Sequence, residues 1–131
     1  MAETKVRLDF GTQLDGTLSS ARGKARVGKF GDGMAPYDML LGALGGCYYA
    51  TFLDIAQKMR LEYESASIDI TGVKREEVPT TLKTVTMVFT IKGAKDEKGF
   101  ARAAELAGKY CSVHETIKQV ADITLETVFV A

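Results

Sequence analysis

The segment from Pro36 to about Met59 decides most of what this chain can become. Apolar or small side chains (Met39, Leu40, Leu41, Ala43, Leu44, Tyr48, Tyr49 and Phe52) point in nearly every direction around it. A helix of that kind has no face suited to water and must be covered on all sides. Pro36 fits a first turn, where its missing N–H has no partner to lose, and Asp38 lies where the positive end of the helix dipole favours an acid. The most apolar part, Met39 to Leu53, is bracketed by Asp38 and Asp54 and is shorter than the roughly 20 residues needed to cross a bilayer. It therefore reads as a helix buried in protein, with no membrane partner. A single domain spanning residues 1–131 can hardly cover such a helix alone. Gly42, Gly45 and Gly46 allow backbones to approach closely, which offsets their helix-propensity cost of about 1 kcal/mol each. The expected solution is an intertwined homodimer with the long helices packed centrally.

The remaining pattern supplies the cover. Val6, Leu8 and Phe10 alternate with Lys5, Arg7 and Asp9, giving an opening strand with one apolar and one charged face. Asp15-Gly16 is a hairpin-turn signal, and the glycine-rich stretch to Gly33 predicts short strands joined by loops. Beyond the long helix, Ile68–Val73 and Leu82–Ile91 read as strands, the second with Val85, Met87, Phe89 and Ile91 at period two. Asp96 is placed to cap a helix with Phe100, Ala103, Ala104 and Ala107 on one stripe. A shorter helix follows Cys111, where Ser112 and Glu115 have capping-box spacing, and Ile123, Leu125, Thr127 and Phe129 close the chain as a strand. The order is that of an α+β fold, with antiparallel strands expected on either side of the long helix.

Charge narrows the partners. The 17 basic and 17 acidic residues cancel and form no run of one sign, so the field that a phosphate backbone requires is missing and nucleic acid is not an expected partner. The first residues carry charges where a secretory signal would carry an apolar run, so a cytoplasmic location is expected.

The chemistry centres on two cysteines. Cys47 and Cys111 form neither a CxxC pair nor a zinc-ribbon pattern. Cys47 lies in the apolar helix, where burial alone would raise its pKa and leave an inert thiol. Cys111 lies at a junction between helices, where amide donors favour thiolate character, or else it is a small buried corner residue. His114 with both cysteines would make an incomplete soft-metal site lacking a fourth ligand, so neither a metal nor another cofactor is expected.

Two segments carry a resemblance. Ala35-Pro36-Tyr37-Asp38-Met39-Leu40-Leu41-Gly42-Ala43-Leu44-Gly45-Gly46-Cys47 and Lys109-Tyr110-Cys111-Ser112-Val113 resemble the paired cysteine segments of the OsmC/Ohr superfamily of thiol peroxidases, in matching element order over nearly the whole chain. The resemblance implies an OsmC-like fold, in which antiparallel sheets wrap a central Cys-bearing helix, and an obligate homodimer with sites at the subunit interface. It also implies reduction of organic hydroperoxides: Cys47 would attack as thiolate, become a sulfenic acid and condense with Cys111 to a disulfide that a dithiol donor reduces. Tyr48, Tyr49, Phe52 and Met39 could line a pocket for the organic part of the substrate, or be ordinary core.

The departures matter equally. Family peroxidases pair the thiolate with an arginine from the first hairpin, itself oriented by a glutamate at the helix start. In this chain Leu14 and Tyr37 stand at those places. Asp38 and either Arg22 or Arg26 are the nearest substitutes, and the alternative is a dimeric binding or stress-associated protein without fast peroxide chemistry.

Overall fold

In the computed structural model, which describes residues 2–131, the elements follow in the order β1 (Arg7–Phe10), β2 (Asp15–Ser19), β3 (Lys24–Gly28), α1 (Pro36–Lys58), β4 (Ser65–Lys74), β5 (Leu82–Lys92), α2 (Glu97–Tyr110), α3 (Ser112–Lys118) and β6 (Asp122–Val130). They fall into two units that divide between Leu40 and Leu41. The α+β class and element order agree with the sequence reading.

The N-terminal unit is an antiparallel sheet in the order β1-β2-β3. Asp15-Gly16 does not make the turn: Gly16 pairs with Phe10 inside the sheet, and the connection is Gly11 to Leu14. The reason lies one strand further on. Gly28 adopts φ +140°, and a Cβ there would stand 2.1 Å from the Leu14 carbonyl oxygen, so this glycine lets the β1–β2 loop close against the end of β3. Lys29 N–H completes the contact by donating to Leu14 O at 3.0 Å. Asp38 lies in the first turn of α1, where its carboxylate accepts from Ala35 N–H at 2.9 Å, the backward half of a capping box.

In the second unit β5 is central, antiparallel to β4 and parallel to β6. This corrects the expectation of wholly antiparallel sheets. The physical reason is the connection: α2 and α3 lie between β5 and β6, and a helical crossover of that length permits parallel pairing where a tight turn would force the opposite. One face of β5 is fully covered, with Val85, Met87, Phe89 and Ile91 at 1% exposure or less. Against it lie Phe52, whose ring centroid is 4.8 Å from that of Phe89, and Tyr48 at 5.5 Å. Phe52 also stacks near Phe100 of α2.

Helix α1 is longer than its apolar stretch suggests. Its 23 residues are long and apolar enough to cross a membrane by length and composition, so the shortness argument from sequence does not hold. Burial selects a narrow stripe instead: Leu44, Tyr48, Phe52 and Ala56 are covered, one residue per turn. The helix ends where Arg60 enters the left-handed region at φ 56° and Leu61 N–H returns to Ala56 O at 2.9 Å, an arrangement that satisfies a terminal carbonyl.

Candidate active site

The buried stripe of α1 fixes the helix rotation, and Cys47 sits beside it, half-buried next to fully buried Tyr48. Tyr48 then links two helices: its hydroxyl donates to the Ala104 carbonyl of α2 at 2.7 Å. At the other end of α2 the chain turns at Cys111, which adopts an extended backbone between α2 and α3. Cys111 is the N-cap of α3, its sulfur accepting from His114 N–H at 3.4 Å. The expected Ser112–Glu115 capping box is thus replaced. Cys111 occupies the cap position, which leaves Ser112 as the first helical residue, with its hydroxyl free to point elsewhere.

That hydroxyl lies 3.8 Å from Cys47 Sγ. The backbone of Val113 and Ser112 and the side chain of Cys111 also act on the Cys47 thiol, each lowering its pKa. Two cysteines distant in sequence thus influence each other at the start of α3, and both are free thiols.

Their environments push them apart. The Val113 N–H is the largest influence on Cys47; burial opposes it, and the Cys111 and Ser112 donors help it hold the thiol below its ordinary pKa. Cys111 is fully buried and is pushed up, first by that burial and further by holding its proton toward Cys47, although the amides of His114 and Val113 counteract. The surroundings thus favour the charged form at half-buried Cys47 and the protonated form at fully buried Cys111. Burial likewise pushes Tyr48 well above its ordinary range, with the nearby Cys111 adding to it, so its hydroxyl stays a donor.

The other candidates have different surroundings. Arg22 is in the exposed β2–β3 turn, where its backbone N–H donates to Ser20 Oγ at 3.1 Å, and Arg26 is ion-paired with Asp15 and Asp32. Tyr48 and Phe52 are core. Tyr49 instead borders an open groove with Leu41, Gly42, Gly45 and Gly46 of α1 and Ile68 and Ile70 of β4. His114 lines a separate hollow with Glu105, Lys109, Glu115 and Lys118, and its Nδ1 is buried without a hydrogen-bond partner. Sequence reasoning missed the donors from Ser112 and Val113. A backbone N–H has no residue identity, and the only available signal was the start of a helix directly after Cys111.

The elements and the two cysteines describe a small α+β protein with two free thiols. The pattern of the OsmC-like protein family matches residues 29–126, which include both cysteines, and the chain belongs to that family. It is 33% identical over 92 residues, 69% of each sequence, to Protein YhfA of Escherichia coli K12. Among solved structures it is similar to an OsmC-like protein from Mycoplasma pneumoniae, with TM-score 0.89, 16% identity and 99% of each chain covered. It is also similar to an organic hydroperoxide resistance protein OsmC from Legionella pneumophila, with TM-score 0.75, 15% identity and 98% of each chain covered. At these identities the structural likeness shows the fold alone.

Proposed function

We propose that this chain reduces organic hydroperoxides with electrons from thiols, as part of oxidative-stress defence in a reducing cytoplasm. The observation that carries this reading is Cys47, 3.8 Å from the Ser112 hydroxyl and held below its ordinary pKa, beside the turn at fully buried Cys111, which is pushed up. Cys47 thiolate attacks the hydroxyl oxygen of the peroxide, the O–O bond breaks, and an alcohol leaves once its oxygen is protonated. The sulfenic acid on Cys47 then condenses with Cys111, releasing water and forming a disulfide that a dithiol donor reduces.

The acting unit in this reading is a homodimer. Support comes from the groove along Gly42, Gly45 and Gly46 and from apolar side chains left in water, among them Leu40 on α1. A monomeric mass in light scattering at micromolar concentration would count against it.

The test is consumption of cumene hydroperoxide with dithiothreitol as donor. Cys47→Ser is expected to abolish it, and Cys111→Ser to leave a sulfenic acid on Cys47; a rate unchanged by Cys47→Ser overturns the proposal. Because the folded pKa of Cys47 is lowered, its alkylation by iodoacetamide should persist at pH values where an ordinary thiol is already protonated. The rate should fall only as pH drops through the lowered value. Leu14 and Tyr37 favour the second reading, a binding or stress-associated protein. Mass spectrometry after one equivalent of peroxide separates the two, since prompt loss of two hydrogens mapped to Cys47–Cys111 belongs only to the enzyme.

A further inference from the structure

We propose that the Cys47–Cys111 pair also takes the outer sulfur of a small-molecule persulfide and releases it as sulfide. This rests on the reading of the two thiols as a redox couple, and it is independent of peroxide reduction.

Within the unit that carries both cysteines, the groups that favour the Cys47 thiolate are the backbone of Val113 and Ser112, the Ser112 hydroxyl at 3.8 Å and the Cys111 thiol, all of them uncharged. Attack on a peroxide expels an alkoxide, a base about as strong as hydroxide, whose conjugate acid has a pKa of roughly 15.7. A leaving group of that kind needs a cation or a ready proton in the transition state. Attack on a persulfide expels a thiolate, whose conjugate acid has a pKa near ~8.5 and which leaves unaided. Neutral donors suit the second reaction, because the charge before and after it rests on large sulfur atoms.

Burial sets the order of events. Cys47 is partly open, whereas Cys111 has no exposed surface, so an incoming sulfur meets Cys47 first. Cys47 thiolate bonds to the outer sulfur of R–S–SH, the S–S bond of the donor breaks, and R–S⁻ departs with the electron pair. Cys47 then carries a persulfide. Cys111 next attacks Cys47 Sγ, the bond from Sγ to the transferred sulfur breaks, and that sulfur leaves as HS⁻, with the Cys111 proton released to it or to water. Two thiols have been oxidised to a disulfide, and one sulfane sulfur has been reduced to sulfide. A dithiol such as dithiothreitol restores the pair.

The experiment mixes the reduced full chain with one equivalent of glutathione persulfide and follows sulfide release together with intact mass. The wild type should release about one sulfide per chain and lose two hydrogens at Cys47–Cys111. Cys111→Ser, which keeps a capping side chain, should retain one added sulfur atom on Cys47 and release sulfide at least about tenfold more slowly. Sulfide release unchanged by Cys47→Ser, or no added sulfur on Cys47 in Cys111→Ser, overturns the proposal. Cumene hydroperoxide run in parallel separates the two functions. Oxidation by persulfide alone removes the peroxidase reading and keeps this one, and oxidation by peroxide alone does the reverse.

Discussion

Strands β1 and β5 carry the same alternating pattern and end in opposite states. In β5 the apolar side chains meet two helices, and Met87, Phe89 and Ile91 have no exposed surface. In β1 the corresponding side chains stay in water, Leu8 and Phe10 at 47% exposure each. Alternation in sequence thus names the face that wants cover without saying what supplies it. For β5 the cover comes from the same chain, through Phe52 and Phe100. For β1, under the homodimer reading, a second copy supplies it.

The comparison can be broken by truncating each face. Phe89→Ala removes the ring around which Tyr48, Tyr49 and Phe52 are arranged, and it should cost about 3–5 kcal/mol in urea unfolding. Tyr48→Phe, which deletes the bond to Ala104 while keeping the ring, should cost about 0.5–1.5 kcal/mol; no measurable loss would mean that the α1–α2 link is idle.

Smaller again is a pH effect on the same unit. Burial first, and Lys118 next, hold His114 below its ordinary value of 6.5, with Glu115 opposing. On acidification the unfolded chain takes up the proton first. Stability should therefore be full above about pH 6.5 and decline as pH falls from there toward the lowered folded value. His114→Gln should flatten that slope, and a profile matching the wild type would show that the imidazole is not desolvated.

The smallest effect on the dilute chain is expected at Phe10. Phe10→Ala should change its stability by about 0.5 kcal/mol or less, yet weaken self-association in light scattering. A loss as large as that of Phe89→Ala at every concentration would erase the distinction between the two strands.

Legibility in the sequence followed the same division. The period-two pattern of β5, the Asp96 cap, which accepts from Gly99 N–H at 3.0 Å, and the start of α1 at Pro36 were all readable, because each is a local match between side-chain chemistry and backbone need. The parallel β5–β6 pairing was not, since it depends on a crossover whose path no local residue encodes. Cys47 and Cys111 were legible as a pair through the resemblance. What holds the Cys47 pKa down was hidden: the family pattern pointed to a guanidinium, whereas the groups that lower it are the Val113 and Ser112 backbone, the Cys111 side chain and the Ser112 hydroxyl.

Cys111 holds two posts at once. Its sulfur accepts the His114 N–H that begins α3, and it is also the atom that any disulfide with Cys47 would consume. Whatever stabilises the dithiol form of such a couple makes its disulfide a stronger oxidant. Under the proposed dithiol chemistry, the folding preference of a seven-residue helix is thereby written into the chain's electron affinity, and loosening the first turn of α3 would tune the couple without touching either cysteine.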